Sequence, residues 1–259
     1  MRRFILCLVA LTLFLSACGD DKEPLPDLSS VNAAVSDFNE ETLRSVSFLL
    51  NVTEKGADKS TFFTQGNASY RREHPVAMSG RMTQIYKEAG TTADIYYKAG
   101  AYYRSDTQSK YYLVMDKETL LGQFMCANVP TAENAESGKT ASTGAGTKYT
   151  LKVDTDKSLL EALFGETLYS SCGLKKPNKA RTSFKDTEAV YVVGDDGLKS
   201  FKLTARAVLY DTPPYYPNYQ TPEKELVHEF DISYELKVVK TGEGVEIAVP
   251  KTEDFVFLN

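Results

Sequence analysis

The chain has 259 residues, of which 42% are hydrophobic and 25% are charged, and its formal net charge is −5. This composition is typical of a globular protein and excludes a polytopic membrane protein and a small disulfide-dense domain. A mildly acidic chain has no basic surface for phosphate groups, so we expect no nucleic-acid partner.

The N-terminal segment has the pattern of a secretory signal. Arg2 and Arg3 supply positive charge, and the apolar run that follows them is about a dozen residues long, too short to cross a bilayer as a helix. The run ends in Leu-Ser-Ala directly before Cys18. This segment resembles a bacterial lipobox, which implies that the cysteine thiol is diacylated and that Cys18 becomes the N-terminus. An ordinary cleaved signal with a chance cysteine is the alternative.

Three parts are therefore predicted along the chain. They are a lipoprotein signal peptide over 1–17, a lipidated N-terminus with a polar tether over 18–27, and a single folded domain over 28–259. Two acyl chains are enough for stable anchoring. We expect a protein that is lipid-anchored to the cell membrane on its extracytoplasmic face, with the membrane as its partner. The pattern indicates no particular protein partner.

Cys126 and Cys172 remain after removal of the signal, since Cys7 is lost with it. In an oxidising compartment two cysteines are the number needed for one disulfide. Two free buried thiols are the alternative. We expect no metal site and no cofactor, because the two histidines, His74 and His228, have no cysteine or carboxylate neighbours at ligand spacing.

The mature chain begins with a helical pattern and continues with strands. Apolar residues at helical spacing predict a helix over 28–39, with Asp27 as its N-cap. Alternating patterns predict strands over 46–53, 60–70, 77–87, 91–98 and 99–104. Adjacent tyrosines form the pairs Tyr96–Tyr97, Tyr102–Tyr103 and Tyr111–Tyr112. Since neighbouring residues of a strand point to opposite faces, each pair places one ring in the core and one on the other face.

The middle of the chain predicts two further helices, one over 116–125 and one that begins at Ser158 and either ends at Gly165 or runs to Cys172. The second begins with a capping box formed by Ser158 and Glu161. Between them, residues 127–147 have almost no bulky apolar side chains, so we expect a long mobile loop there. A short strand over 149–153 follows that loop.

The last third of the chain has the clearest strand pattern. Strands over 187–193 and 198–210 flank the sequence Gly-Asp-Asp-Gly, which is typical of a hairpin turn. A long strand over 226–239 follows, and a turn after it leads into a strand over 245–249. One antiparallel sheet with a few helices fits the length of the mature chain.

Two segments carry a family resemblance. One is the motif Tyr-Tyr-Lys-x-Gly-x-Tyr-Tyr from Tyr96 to Tyr103, and the other is the ending Gly-x-x-Val-x-Ile-x-x-Pro from Gly242 to Pro250. With the order of elements, they resemble the Lol-type and mycobacterial LppX-type lipoprotein carriers and their Gram-positive relatives. The resemblance implies an α+β fold, in which a curled antiparallel half-barrel of roughly nine to ten strands has two or three helices on its concave face. It also implies a hydrophobic cavity that holds acyl chains.

The function that we expect is non-catalytic binding of a hydrophobic or amphipathic, lipid-like ligand in the half-barrel. No nucleophile elbow and no zinc-protease motif occurs in the sequence, so we expect no enzyme. Side chains predicted to face inward are the candidate cavity lining, namely Phe48, Phe201, Leu203, Phe230, Ile232 and Tyr234. The alternative is an interaction scaffold without a small ligand, in which Tyr215, Tyr216 and Tyr219 on a proline-rich loop contact a protein partner.

Overall fold

The structure, a computed structural model, describes residues 24–57, 61–73, 75–86, 89–116, 128–153, 181–211 and 226–258. These residues form one α-helix, α1 (Ser29–Glu40), and twelve strands. The strands are β1 (Leu43–Glu54), β2 (Phe62–Arg71), β3 (Ala77–Tyr86), β4 (Ala89–Lys98), β5 (Ala101–Ser105), β6 (Lys110–Val114), β7 (Ala135–Thr143), β8 (Gly146–Val153), β9 (Arg181–Gly194), β10 (Gly197–Asp211), β11 (Leu226–Thr241) and β12 (Val256–Phe257).

All twelve strands belong to one open, curled sheet with the order β12-β6-β5-β4-β3-β2-β1-β11-β10-β9-β8-β7. Two antiparallel meanders, β1 to β6 and β7 to β11, are joined where β1 pairs with β11. Only β12 is parallel to its neighbour, β6. The topology is therefore that of an antiparallel sheet whose two halves come from distant parts of the chain.

The sheet is larger than expected. The sequence predicted nine to ten strands and two or three helices, whereas the described residues contain twelve strands and one α-helix. Apart from Asp116, the helices predicted over 116–125 and 158–172 lie outside the described residues. The strands that were not predicted are β6, β7 and β12, of which β7 and β12 lie at the edges of the sheet.

The prediction of a mobile loop over 127–147 is wrong. β7 pairs with β8 along its whole length, and Gly144 and Ala145 form the turn between them. Most of the β7 side chains are exposed. An edge strand of this kind forms without an alternation of apolar residues, because backbone hydrogen bonds to β8 hold it in the sheet. Its threonines also favour the extended conformation of a strand.

The prediction of a strand over 245–249 is also wrong. A single turn of 3₁₀-helix (Gly242–Gly244) ends β11, and the chain then runs without sheet pairing until β12. The reason is topological. β11 is already flanked by β1 and β10, so the segment that follows it finds no free strand edge until it reaches β6.

This C-terminal segment, residues 245–258, crosses the outer face of the sheet. The Ala248 N–H donates to Ser79 Oγ at 3.2 Å, and the Phe255 ring meets the Tyr103 ring edge-on with 5.4 Å between centroids. Tyr103 in turn stacks on Tyr112. The segment therefore covers the outer tyrosines, while Tyr97 and Tyr102 are buried on the opposite face as predicted.

The helix forms close to where it was expected, over Ser29–Glu40 rather than 28–39. The Asp27 carboxylate accepts a hydrogen bond from the Ser29 N–H at 2.9 Å, although Leu28 occupies the N-cap position itself. Its buried face packs on the concave side of β9 and β10. That face consists of Val31, Ala34, Val35 and Phe38.

No helix among the described residues combines the length and the apolar character needed to cross a bilayer.

Two strand glycines allow neighbouring strands to approach closely at the centre of the first meander. A methyl group on Gly80 would collide with the backbone carbonyl oxygen of Asn67, and a methyl group on Gly66 would lie 3.0 Å from Cζ of Phe48. Glycines inside strands mark positions where another backbone or a large side chain comes close. Gly66 thus makes room for the phenyl ring of Phe48, and Gly80 makes room for the backbone of β2 at Asn67.

We expect Gly80→Ala to lower the free energy of unfolding by about 1–3 kcal/mol, because the added methyl group meets backbone rather than a movable side chain. Urea denaturation measures the effect. Gly144→Ala is the control, since nothing lies within 4 Å of the added methyl group in the β7–β8 turn, and its change should stay within about 0.5 kcal/mol. Equal effects of the two substitutions would contradict the close approach at Gly80.

Candidate functional site: the concave face of the sheet

The structure brings the six predicted lining residues together. Each lies on the concave face of β1, β10 or β11, which are neighbouring strands, and the register places Leu203 opposite Tyr234 and both Phe48 and Phe201 opposite Leu236. We call this set the apolar patch, and its members are Phe48, Phe201, Leu203, Phe230, Ile232 and Tyr234. Their relative exposure is 0–4%, so the patch is closed to solvent.

Aromatic contacts extend the patch toward β9. The Phe201 ring lies 5.1 Å from the Tyr191 ring and 6.2 Å from the Tyr234 ring, measured between centroids. Tyr191 pairs with Tyr149 of β8, whose hydroxyl forms a 2.6 Å hydrogen bond with Ser30 of α1. Offset and edge-on ring pairs of this kind add to the stability of an apolar core beyond the area that they bury.

Two buried hydroxyl groups flank the apolar patch, one on each side. Thr64 lies on β2 opposite Leu50, and Thr187 lies on β9 two residues before Ala189, the partner of Leu203. Neither hydroxyl oxygen has a hydrogen-bond partner within the described residues. A buried polar group without a partner carries a desolvation cost, so each position is suited to receive the polar group of a ligand.

A short segment over 128–132 lies beneath α1 and covers part of the concave face. Asn39 holds it through two hydrogen bonds, since its Nδ2 donates to the Val129 carbonyl at 2.8 Å and its Oδ1 accepts from the Val129 N–H at 3.0 Å. Asn32, two helical turns earlier, accepts from the Ala132 N–H at 2.9 Å. The segment is therefore held along one side of α1 by hydrogen bonds with asparagine side chains.

The buried tyrosines complete this cover. The Tyr191 hydroxyl donates to the Pro130 carbonyl at 3.0 Å, and the Tyr97 hydroxyl donates to the Met115 carbonyl at 3.0 Å. Burial raises the pKa of Tyr191, and it raises the pKa of Tyr102 to about 12. Both of these phenols are therefore neutral at physiological pH, which suits an apolar face.

Arg44 is a buried cation at the end of this face that the sequence reading missed. Its side chain is completely buried, and its Nε donates to the Glu41 carbonyl at 2.8 Å while Nη2 donates to the Asn39 carbonyl. The guanidinium carbon lies 4.4 Å from the centre of the Phe38 ring. Burial lowers the pKa of Arg44. The guanidinium thus binds the carbonyl end of α1 to β1, where the helix dipole favours a cation.

A signal for Arg44 was available in the sequence. Arg44 has the same strand parity as Val46 and Phe48, so the alternation that predicts an inward face also points this arginine inward. An inward arginine requires acceptors, and the nearest unpaired acceptors in such a fold are the last carbonyls of the preceding helix.

His228 lies at the opposite end of the apolar patch. The sequence placed it on the apolar face of its strand, and its ring stacks on Phe230 with 6.3 Å between centroids. Its side chain is nevertheless partly exposed, and its Nδ1 lies 3.5 Å from a carboxylate oxygen of Glu54. His228 is therefore a rim residue rather than a core residue.

Several predicted residues lie outside the described residues. They include Cys18 of the lipobox, Cys126 and Cys172 of the predicted disulfide, and Tyr215, Tyr216 and Tyr219 of the proline-rich loop.

The comparisons with known proteins gave structural neighbours. No family model and no curated protein matches the chain. LprF from Mycobacterium bovis is 10% identical, and the match covers 88% of this chain and 99% of LprF with a TM-score of 0.47. The LolA superfamily protein NE2245 from Nitrosomonas europaea is 6% identical, covering 85% of this chain and 96% of that one with a TM-score of 0.27. A domain described as an outer-membrane lipoprotein-sorting protein from Vibrio parahaemolyticus is 10% identical, covering 85% and 93% with a TM-score of 0.26.

We expect Arg44→Met to lower the free energy of unfolding by about 2–3 kcal/mol, because methionine fills much of the same space but removes the side-chain donor of the Glu41 carbonyl and leaves the Asn39 carbonyl with Arg72 as its arginine donor. Thermal and urea denaturation measure the change. Arg81→Met is the matched control on the outer face, where the arginine side chain is 67% exposed and lies 3.9 Å from Asp94. Its effect should stay below about 0.5 kcal/mol. A small effect at both positions would show that Arg44 does not hold the helix.

Proposed function

We propose that the protein is a non-catalytic lipoprotein, anchored by acyl chains on Cys18 to the extracytoplasmic face of the membrane. We further propose that the concave face of its sheet binds a hydrophobic or amphipathic, lipid-like ligand. The observation that carries this proposal is the apolar patch on β1, β10 and β11 with an unpartnered buried hydroxyl on each side.

The patch has the composition of a lipid site. Sites for small amphipathic ligands are mostly apolar, with few polar groups that fix orientation. The patch supplies aromatic and aliphatic side chains, and Thr64 and Thr187 supply hydroxyl groups that can donate to or accept from an ester or carboxyl group. Acyl chains would lie against the patch, while the polar group of the ligand would bind at its margin.

The cover of the patch can be lifted without breaking the sheet. α1 packs on β9 and β10, and residues 128–132 are held by side-chain hydrogen bonds, from Asn32 and Asn39 of α1 and from Tyr191 of β9. Hydrogen bonds of this type each contribute only about 0.5–1.5 kcal/mol. A ligand that replaces the apolar contacts of the cover could therefore displace it.

The predicted tether sets the distance from the membrane. Residues 18–27 separate the predicted lipid anchor from the start of α1, and an extended chain spans at most about 3.3–3.6 Å per residue. The tether thus holds the domain within roughly 35 Å of the bilayer surface. This distance allows a ligand to be exchanged with the membrane without release of the protein.

Native mass spectrometry of the protein released gently from its host membrane tests the proposal. We expect a lipid mass that dissociates on activation, in addition to the covalent acyl chains. Repeated preparations without a dissociable lipid would overturn it.

The NMR signals of three isoleucines can show which face of the sheet binds the ligand. Ile95 and Ile232 are buried on the concave face, whereas Ile85 faces the other side of β3. Removal of the lipid should shift the δ1-methyl NMR signals of Ile95 and Ile232 and leave that of Ile85 in place. Shifts confined to Ile85 would place the lipid elsewhere.

Removing the Thr64 hydroxyl tests whether it contacts the ligand, and removing the Thr83 hydroxyl is the matched control. Thr64→Val removes an unpartnered buried hydroxyl without changing the size of the side chain, so we expect it to raise the free energy of unfolding by about 1 kcal/mol while reducing the fraction of protein that retains lipid. Thr83→Val is the control, because the Thr83 hydroxyl bonds to Thr92 on the exposed outer face. Unchanged lipid retention in Thr64→Val would exclude Thr64 from the site.

The closed patch favours one alternative, an interaction scaffold with no small ligand. All six side chains of the patch are buried, which is also what a filled core requires. In that case native mass spectrometry would detect no dissociable lipid, and the protein would act through a surface outside the concave face.

A further inference from the structure

An apolar cavity of about 590 Å³, which we call the outer cavity, lies beneath the C-terminal segment and away from the apolar patch, and Tyr97 of the concave face contributes to its lining. One wall is formed by the β2–β3 connection and the β4–β5 turn, and the other by the C-terminal segment. The residues that matter for the argument are Val76, Lys98, Ala99, Ile247 and Val249. The volume falls within the range of about 300–1,000 Å³ that is usual for small-molecule sites.

The C-terminal wall presents apolar side chains to the sheet without joining it. Val245, Ile247 and Val249 are the more buried residues of an alternating stretch, and Glu246 and Ala248 are exposed. The Ala248 N–H donates to Ser79 Oγ, so the stretch is held by a side chain rather than by strand pairing. A wall held in this way leaves space between itself and the strand ends, which is the cavity.

The β4–β5 turn contains a residue that the turn itself does not favour. Ala99 and Gly100 have φ angles of +52° and +81°, which is the geometry of a type I′ turn. Asparagine and glycine adopt such angles readily, whereas an alanine is strained there. Ala99 lines the cavity, so the methyl group keeps the wall apolar where the preferred asparagine would introduce an amide.

Among the described residues that line the cavity, Lys98 is the one with a positive charge. Its side chain is exposed, and the described part of the chain gives it no ion-pair partner. A lysine can lay its aliphatic stem along an apolar wall while its ammonium group stays in water. An apolar cavity with one free cation at its rim complements a molecule with one hydrocarbon chain and one negative charge.

We propose that this outer cavity binds a single-chain fatty carboxylate, with the chain between Val76, Ile247 and Val249 and the carboxylate near the Lys98 ammonium group. The site is distinct from the apolar patch, although Tyr97 of the concave face contributes to its lining, and it stands whether or not the apolar patch binds lipid. One lysine matches one carboxylate charge, and each methylene that enters the cavity contributes through burial.

Dodecanoate titration of the protein, followed by isoleucine δ1-methyl NMR, tests the proposal. Ile247 lies in the outer cavity, while Ile95 and Ile232 report the concave face. We expect a saturable shift of the Ile247 signal. Shifts of Ile95 and Ile232 without a shift of Ile247 would overturn the outer site and leave the concave site standing, and the absence of any Ile247 shift would likewise overturn it.

Two variants check the walls of the cavity. Val249→Trp should fill it and weaken dodecanoate binding by more than about tenfold. Val239→Trp is the control, since Val239 is 65% exposed on β11 and lies outside the cavity. Unchanged signals of Ile85 and Ile95 show that each variant is folded. Equal binding by the two variants would overturn the proposal.

Two further comparisons address the charge and the turn. Lys98→Met should weaken binding of dodecanoate about three- to fivefold but leave binding of dodecanol unchanged.

Ala99→Asn should raise the midpoint of urea denaturation, because asparagine suits the turn, and yet weaken dodecanoate binding. Ala99→Asn with greater stability and unchanged binding, or equal losses for both ligands in Lys98→Met, would contradict the assignment.

Discussion

The pairing of β1 with β11 is the interaction on which the rest of the structure depends. It joins a strand that starts at Leu43 to one that ends at Thr241, and it makes the concave faces of two meanders continuous. A continuous apolar face cannot remain in water, so the remaining elements act as its cover. α1 and residues 128–132 cover the side of β8 to β10, and Arg44 and the asparagines of α1 fix them there.

The edges of so large a sheet are protected in different ways. β6 pairs with β12, which is two residues long and lies at the end of the C-terminal segment. β7 forms the other edge and carries mostly exposed small polar side chains with Glu136 and Lys139. Short strands and charged residues at the edges limit pairing with other chains. The same C-terminal segment that protects β6 forms a wall of the outer cavity, so edge protection and the proposed second site share one element.

The two proposed sites differ in how they obtain their apolar lining. The concave patch comes from strand alternation, which any antiparallel sheet with one covered face produces. The outer cavity comes from a segment that alternates like a strand but has no strand edge to join. Its lining includes Ala99, an alanine at a positive φ angle that alanine disfavours. It also includes Lys98, a charged residue without an ion-pair partner in the described chain.

Local pattern by itself determined α1 to within one residue, the Gly194–Gly197 turn, the inward parity of the six patch residues and the opposite faces of Tyr97 and Tyr96. These features depend on the periodicity of apolar residues along a short stretch of chain, and this periodicity can be read from the sequence. Tertiary structure alone decided that β7 is a strand and that residues 245–249 are not. Both depend on which strand edges are already occupied by distant residues, and a short stretch of sequence does not contain that information.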